Sequence, residues 1–259
     1  MKLSTKISTK ERFYPQLLLI KFYGCDIILS VMKELFDKYC IKYDEDALKK
    51  FKIFEEMLYK SNKEFNLTAI KEGREMEIKH FLDSAVGVDK FVENSSVVEI
   101  GSGGGFPSVP IMILRKDLKF TLLESVGKKC NFLRSVIGEL GLNAEVINAR
   151  AEDVGKESFF RESFDHATAR AVARLNILSE YCLPLVKVGG TFIAYKANAE
   201  EEIRECENAF NVLGGKIKEV KEYYLPDEEG KRTIIEIEKI KSTPKEYPRG
   251  NGKERKKPL

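Results

Sequence analysis

The chain has 259 residues, which fits one large domain or a core with a small accessory domain. Apolar residues make up 43% of it, too many for a disordered chain. The net charge is only +3, so any affinity for nucleic acid must come from a local basic patch rather than from an overall cationic field. The five cysteines are scattered, without a CxxC pair or a neighbouring histidine. This argues against a metal site or a disulfide framework and favours a reducing, cytoplasmic compartment.

The N-terminal region contains one apolar stretch, from Leu17 to Met32. Lys21 and Asp26 interrupt it, so no apolar run approaches the ~20 residues that span a bilayer. No small-residue cleavage site follows it. We therefore expect no membrane association and no removed signal peptide.

Three helices are predicted before residue 90. The first begins at Met32, the second takes Asp44 as its N-cap, and the third covers Glu75–Phe81. The turn-forming segment Asn62–Ile70 separates the last two. Residues 32–90 are therefore predicted to form a helical cap subdomain.

Strands and helices alternate from Val97 onward. The predicted strands are Val97–Ile100, Lys119–Leu123, Ala144–Asn148, Phe164–Thr168, Thr191–Lys196, Lys216–Tyr224 and Arg232–Lys239. The predicted helices are Pro107–Leu114, Lys128–Leu140, Leu175–Val186 (stopped by Gly189-Gly190) and Glu200–Leu213. This alternation predicts an α/β domain over residues 91–241, with a mostly parallel seven-stranded sheet that ends in an antiparallel pair. The basic tail, residues 242–259, is not expected to pack as a regular element.

A glycine loop, VVEIGSGGGFP from Val97 to Pro107, joins the first strand to a helix. It is not a dinucleotide fingerprint, because Phe106 occupies the sixth position of G-x-G-x-x-G. The pattern acidic-x-G-x-G-x-G instead resembles motif I of the S-adenosylmethionine-dependent methyltransferases, and the expected fold is the Rossmann-like class I fold of those enzymes. We expect Gly101, Gly103 and Gly105 to make room for the amino-acid end and sulfonium of the cofactor, and Glu99 to stabilise that cationic end.

Acidic residues also follow the next two strands. Glu124 comes after the second strand, where a carboxylate can bind ribose hydroxyls, and Ala151-Glu152 comes after the third, where it can frame the adenine. The carboxyl ends of parallel strands meet at one edge of a sheet, so the three positions predict one S-adenosylmethionine site.

The methyl acceptor is less constrained by the residues. The segment after the fourth strand, Asp165–Leu175, lacks the Asn/Asp-Pro-Pro-aromatic loop of amino-group methylases, and no cysteine ends a strand as a C5-pyrimidine enzyme requires. Acceptors that are already nucleophilic remain, such as guanine N7, which has a lone pair and no proton. A different acceptor, or a non-catalytic nucleotide-binding role in ribosome assembly, stays open.

Several segments closely resemble the RsmG (GidB) family of bacterial 16S rRNA guanine-N7 methyltransferases, from about Met32 to the C-terminus. The matching segments are NKEFNLTAI (62–70), KHFLDS (79–84), EIGSGGGFPSVP (99–110), FTLLES with GKK and FLR (120–134), RAED (150–153), FDHATARA (164–171) and TPKEYPRG with KKPL (243–259). Residues 1–31 lie outside the resemblance, and we expect them to result from an upstream start or to be an added segment. The resemblance implies methylation of guanine 527 in the 530 loop of the small-subunit rRNA, with 16S rRNA or the small subunit as the substrate. We expect the protein to act as a monomer, although no residue pattern indicates an oligomeric state.

The resemblance also implies residue roles. Gly101, Phe106, Glu124, Ser125, Val126, Ala151 and Glu152 would contact the cofactor, and Arg170 would reach the cofactor or the target. Arg170 is the one candidate catalytic residue. His80 and His166 are expected to be structural, with His80 capping the pocket. The chain departs from the family pattern at Ala169, where serine is common, and at residues 195–197, where Tyr-Lys-Ala replaces Leu-Lys-Gly.

Basic residues are expected to contact RNA phosphates. The candidates are Lys128, Lys129, Arg134, Lys196, Arg249, Lys253, Arg255, Lys256 and Lys257.

Overall fold

A computed structural model describes residues 31–64, 67, 73–227 and 229–259. The expectations for residues 1–30, and those for residues 65–66 and 68–72 of the predicted turn segment, therefore lie outside the described residues. The described residues form a seven-stranded sheet of order β3-β2-β1-β4-β5-β7-β6. The strands are β1 (Ser96–Ile100), β2 (Lys119–Glu124), β3 (Ala144–Asn148), β4 (Phe164–Arg170), β5 (Val186–Lys196), β6 (Gly215–Tyr224) and β7 (Lys231–Lys239).

The first five strands pair in parallel, and β7 pairs antiparallel with both β5 and β6, as predicted. The chain moves outward from β1 to β3 and then crosses back to β4 on the other side of β1. In open α/β sheets this reversal opens a crevice at the carboxyl ends of the strands, where ligands bind. The fold therefore places its crevice at the ends of β1 and β4.

Helices cover both faces of the sheet. They are α1 (31–38), α2 (Glu45–Glu64), α3 (Arg74–Met76, Glu77–Leu82 and Asp83–Ala85), α4 (Ser108–Leu114), α5 (Gly127–Leu140), α6 (Ala151–Val154), α7 (Leu175–Cys182), α8 (Glu200–Glu205), α9 (Glu207–Leu213) and α10 (Lys253–Lys256). The predicted N-cap is confirmed, because Asp44 Oδ1 accepts a hydrogen bond from the Ala47 amide at 2.7 Å. No helix among the described residues is long and apolar enough to cross a membrane.

Alternate side chains of each strand enter two separate cores. Val97 points into a core with the phenylalanines of α1, α2 and α3, whereas Val98 points into a core formed with α7 and α9. The helices before residue 90 therefore share their core with one face of the sheet. Their separate status as a cap subdomain stays a prediction.

The region between α7 and β5 differs from the sequence prediction. The helix ends at Cys182, a 3-10 turn with Pro184 follows, and β5 already begins at Val186. Gly190 therefore lies inside a strand, not after a helix. A Cβ at Gly190 would lie 2.4 Å from the carbonyl oxygen of Asp165, so this glycine permits close approach of β4 and β5.

Three further boundaries differ. Asn62, Lys63 and Glu64 continue α2 instead of breaking it, and the predicted helix over 200–213 is divided at Cys206. The third helix is longer than predicted, and its middle part, Glu77–Leu82, is π-helical. Periodicity of apolar residues detects the helices but not these changes of winding.

The C-terminal tail packs on the domain mostly as irregular chain, and its short helix α10 (Lys253–Lys256) is a regular element that the sequence did not predict. The Arg161 guanidinium donates to the carbonyl oxygens of Thr243, Pro244 and Tyr247 at 2.7, 3.0 and 2.8 Å. Arg249 pairs with the buried Glu180 at 2.6 Å. The sequence does not reveal these contacts because the partners are 69 to 86 residues away from the tail.

Candidate active site

The glycine loop lies between β1 and α4 and is tied to β2 by main-chain hydrogen bonds. The amides of Gly101 and Ser102 both donate to the carbonyl oxygen of Leu123, at 2.8 and 3.2 Å. The Gly105 amide donates back to Ser102 within the loop at 2.7 Å. The loop therefore has a fixed position across the ends of two neighbouring strands.

Two glycines of the loop have opposite surroundings. Gly105 has φ of 91°, and a Cβ there would lie 2.6 Å from Val109 Cγ2, so only glycine fits. Gly103 also has a positive φ, of 54°, but a Cβ there would approach nothing closer than the Gly101 carbonyl oxygen at 3.7 Å. Gly103 therefore borders open space, where the main chain is accessible to a ligand.

Glu124 organises the crevice side of the loop. One carboxylate oxygen accepts the Gly103 amide at 2.9 Å, and the other accepts the Val126 amide at 2.8 Å. A carboxylate has about four acceptor positions, so Glu124 retains capacity for ribose hydroxyls. Ser125 and Val126 follow on the exposed surface. The structure thus brings together the predicted residues Gly103, Glu124, Ser125 and Val126.

Glu99 does not face the crevice. Its side chain is 0% exposed and accepts hydrogen bonds from the Ser108 hydroxyl at 2.5 Å and the Ser108 amide at 3.3 Å. Burial raises the pKa of the Glu99 carboxyl to about 7, although the hydrogen bonds from Ser108 oppose this shift. The expected direct contact between Glu99 and the cationic end of the cofactor does not fit this position. Glu99 instead links β1 to the first turn of α4 beneath the loop.

The third predicted position follows β3. Ala151 and Glu152 begin α6 and are both buried. The Glu152 side chain lies towards the tail, because a Cβ at Gly250 would be 3.9 Å from Glu152 Cγ. Their contact with adenine stays a prediction.

Arg170, at the end of β4, connects the glycine loop to α3. Its Nη1 donates to Asp83 Oδ2 at 2.8 Å and to the Lys79 carbonyl oxygen at 3.1 Å, and its Nη2 lies 2.8 Å from His80 Nδ1. The guanidinium carbon also lies 4.9 Å from the ring centroid of Phe106. The side chain is only 11% exposed. Arg170 is therefore held rigidly between two elements that are distant in sequence.

His80 stacks on the glycine loop. Its ring lies 4.4 Å from the Phe106 ring, with an interplanar angle of 18°. Burial, together with the charge of Arg170, lowers the pKa of His80 to about 3. The imidazole is therefore neutral near pH 7, and its Nδ1 can accept the hydrogen bond from Arg170. Phe106 is 7% exposed, so little of its surface is accessible for the expected contact with the cofactor.

Asp83 is the centre of this polar cluster, which we call the Asp83 cluster: Asp83, His80, Arg170, Tyr223 and Arg232. The Tyr223 hydroxyl donates to Asp83 Oδ1 at 2.8 Å, and Arg232 Nε lies 3.7 Å from the same oxygen. Sequence analysis did not identify Tyr223 or Arg232, because both lie in strands with no motif. The sequence feature that could have identified them is the alternation of side chains between the two faces of β6 and β7, which places both polar residues on the face towards α3.

Tyr195 offers a second link to α3. Its hydroxyl donates to the Ser84 carbonyl oxygen at 3.0 Å, and a Cβ at Gly87 would collide with its ring. Tyr195 is one of the residues that depart from the family pattern, and here it fills the space left by Gly87.

The predicted RNA contacts fall into two groups. Lys196 is 10% exposed and pairs with Glu202 at 2.7 Å, and Arg249 pairs with Glu180, so neither cation is available on the surface as expected. Their partners come from α8 and α7, which the sequence does not place beside them. The remaining candidates are at the surface: Lys128, Lys129, Arg134, Lys253, Arg255, Lys256 and Lys257. Among the described residues no cluster of histidine, cysteine, aspartate or glutamate could hold a metal ion.

The family model described as rRNA small subunit methyltransferase G (GidB) matches residues 47–232, a range that contains the loop, α3 and the Asp83 cluster. The chain belongs to this family. Proteins named Ribosomal RNA small subunit methyltransferase G are 45% identical in Lactobacillus johnsonii, over 86% of this chain and 95% of that protein, and 43% identical in Clostridium perfringens, over 89% and 98%. As a methyltransferase of this family, the protein uses S-adenosylmethionine as its cofactor.

A solved structure agrees on the fold. TYW2 of M. jannaschii, solved in complex with AdoMet, has a TM-score of 0.51 over 68% of this chain and 81% of that chain, at 15% identity. At this identity the likeness concerns the fold alone. The expected Rossmann-like class I methyltransferase fold is confirmed.

The residues of the crevice fit S-adenosylmethionine. Gly103 leaves open space for close approach, and Glu124 retains acceptor capacity beside it. Val126, which is 46% exposed, offers an apolar surface at the same edge. These three residues would hold the cofactor, with the buried Glu99 supporting the loop from below.

Proposed function

We propose that this protein transfers the methyl group of S-adenosylmethionine to N7 of guanine 527, in the 530 loop of the small-subunit rRNA. The observation that carries the proposal is the family match over residues 47–232, which includes every element that forms the crevice. The substrate is 16S rRNA or the small subunit, and the protein acts as a monomer.

The reaction requires little from the protein beyond alignment of the cofactor with the acceptor base. When bound, S-adenosylmethionine supplies a methyl group activated by its sulfonium. Guanine N7 attacks with its own lone pair and carries no proton, so no general base is needed. Alignment of two reactants can contribute ~7–11 kcal/mol to catalysis. The neutral, hydrogen-bonded His80 agrees with this scheme, because no proton has to be accepted.

Arg170 has a positioning role in this proposal rather than a catalytic one. Methylation of N7 places positive charge on the purine, and a nearby guanidinium would disfavour that charge. Arg170 instead directs its donors to α3 and its face to Phe106. It therefore fixes the glycine loop relative to α3, so that the distance between the two sides of the crevice stays constant.

RNA reaches such a site through an unpaired base. The deep, narrow major groove of A-form RNA hides the base edge that carries N7, whereas a loop nucleotide can leave the stack. A target in the 530 loop suits a crevice that is bordered by short loops at the carboxyl edge of the sheet.

The test is a map of N7-methylguanine in rRNA from a strain that lacks the gene. We expect the modification at guanine 527 to disappear and to return with the parent gene but not with Gly103→Asp, which places a second carboxylate beside Glu124. A modification that persists in the deletion strain, or that returns at another base, would contradict the proposal. Isothermal titration with S-adenosylmethionine tests the alternative of a non-catalytic assembly factor. Absence of cofactor binding would favour that alternative.

A further inference from the structure

A groove of about 390 Å³ runs between α2 and α5 beside the glycine loop. Its lining residues are Met57, Lys60, Ser61, Lys128, Asn131, Phe132 and Ser135. Met57 and Phe132 form an apolar floor, and the other five side chains are cationic or can donate hydrogen bonds. Among the described side chains, no carboxylate lines the groove.

The cations of the groove have no described carboxylate as an ion-pair partner. Within the described part of the chain, neither Lys60 nor Lys128 forms an ion pair, and the adjacent Lys129 forms none either. Many other lysines do pair with carboxylates, including Lys79, Lys90, Lys116, Lys196, Lys218 and Lys231. The groove is therefore a local basic site on a chain whose net charge is only +3.

Both walls of the groove are connected to the cofactor crevice. On the α5 side, the helix begins directly after Val126, whose amide donates to Glu124 at 2.8 Å. On the α2 side, the Phe54 ring lies 5.4 Å from the ring of Phe106 in the glycine loop. An RNA strand that leaves the crevice on this side would enter the groove.

We propose that the groove binds the sugar–phosphate backbone of the rRNA strand that flanks the methylated guanine. This inference rests on the proposed function, which brings RNA to the crevice. Lysine ammonium groups neutralise phosphates, while serine hydroxyls and the asparagine amide can bond phosphate or 2′-hydroxyl oxygens. Such contacts are independent of base identity, so the groove contributes affinity and register and leaves base selection to the crevice.

The alternative occupant is an acidic protein segment of the small subunit. The groove favours RNA because its two apolar residues lie at the floor and its rim is polar, whereas protein interfaces rely on central buried aromatic anchors.

The test compares the double variant K60E/K128E with the matched control K119E/K241E. Lys119 and Lys241 are also exposed and unpaired in the described structure, but they lie at the opposite edge of the sheet, at the start of β2 and just beyond β7. Fluorescence anisotropy measures binding to a labelled RNA stem-loop that contains the 530 loop, at several salt concentrations. Isothermal titration measures binding of S-adenosylmethionine to the same proteins.

We expect K60E/K128E to bind the RNA at least tenfold more weakly and to lower the magnitude of the slope of log K against log salt by about 1.4–1.8, as the loss of two phosphate contacts requires. The control should stay within twofold of the parent, and cofactor affinity should be unchanged in both variants. This unchanged affinity also shows that K60E/K128E is folded.

Equal RNA affinity of K60E/K128E and the control would overturn the groove proposal, while rRNA methylation by the parent would leave the proposed function standing. Normal affinity for the stem-loop with weakened binding to small-subunit particles would assign the groove to a protein partner and overturn it as well. A parent protein that neither binds nor methylates rRNA would overturn both proposals.

Discussion

The two sides of the candidate active site are built in different ways. The glycine-loop side is held by main-chain groups and by Glu124, which is 21 residues from its partner Gly103. The α3 side is held by side chains from remote segments, since Asp83 is 87 residues from Arg170 and 140 residues from Tyr223. The first side depends on local backbone conformation, and the second depends on the completed sheet.

The difference has an energetic consequence. A main-chain turn loses little when one side chain changes, because its hydrogen bonds remain. The Asp83 cluster contains buried charges, and removal of one partner leaves another charge uncompensated, which commonly costs about 3–5 kcal/mol. Mutations should therefore affect the two sides unequally.

Removal of the Arg170 side chain should give the largest effect. Arg170→Ala leaves Asp83, which is 5% exposed, without its main cation, and we expect a loss of about 3–5 kcal/mol in the free energy of unfolding. Methylation of small-subunit particles should fall at least about 100-fold. Arg170→Lys keeps the charge but cannot bridge Asp83 and His80 together, so partial recovery of both quantities is expected. Full activity of Arg170→Ala would refute the positioning role.

The carboxyl beneath the loop gives a pH-dependent test. Because the folded-state pKa of Glu99 is raised to about 7, the folded protein holds a proton that the unfolded chain releases near its ordinary pKa of 4.5. The contribution of Glu99 to stability is therefore present at low pH and is lost as the pH rises from about 4.5 to about 7, by roughly 3 kcal/mol.

Glu99→Gln should remove this part of the pH dependence in urea unfolding. Burial also raises the pKa of Glu77 to about 7. In Glu99→Gln the free energy of unfolding should therefore still fall between pH 4.5 and 7, but less steeply than in the parent. The exposed Glu139→Gln serves as the control. An unchanged slope in Glu99→Gln would mean that the carboxyl is ionised throughout this pH range.

Alanine substitutions at two loop glycines should separate the stability lost through crowded packing from the stability lost through unfavourable backbone conformation. Gly105→Ala combines a left-handed conformation with the contact at 2.6 Å to Val109, and we expect a loss of about 2–3 kcal/mol. Gly103→Ala retains only the conformational cost, about 1–2 kcal/mol. Denaturant unfolding measures both, and equal losses would contradict the difference in their surroundings.

The smallest effect is expected at the edge of the Asp83 cluster. Tyr223→Phe removes one hydrogen bond to Asp83, while Arg170 remains, so the loss should be about 1–2 kcal/mol. Tyr224→Phe is the matched control, because its side chain is 68% exposed on the opposite face of β6. Urea unfolding of both variants gives the comparison, and a Tyr224→Phe loss as large as that of Tyr223→Phe would remove Tyr223 from the cluster.

Local rules predicted much of the fold. The strand Ala144–Asn148, the capping of α2 by Asp44 and the left-handed Gly141 at the end of α5 all follow from neighbouring residues. The glycine loop and Glu124 could be found for the same reason, since each follows directly after a strand.

Long-range contacts account for what the sequence could not predict. Gly190 resembled a helix stop, but it accommodates a neighbouring strand, and the tail resembled a solvated end until Glu180 supplied a buried partner for Arg249. Tyr223 and Arg232 acquire their role only when α3 packs beside the sheet. A motif records residues that are close along the chain, whereas the Asp83 cluster forms from residues that are close only in space.

The π-helical winding of Glu77–Leu82 allows the length of α3 to change without turning its two ends relative to each other. A π turn accommodates one residue more than the equivalent α-helical turn, and such turns occur frequently at functional sites. Deletion of a single residue there would allow ordinary α-helical winding, and Met76 and Asp83 on either side would keep their faces because the wide turn alone absorbs the extra residue. His80 lies within the wide turn, so its position against Phe106 would change. A single-residue deletion within 77–82 should therefore be tolerated by the fold better than a deletion elsewhere in α3, with its main effect on the contact between His80 and the glycine loop.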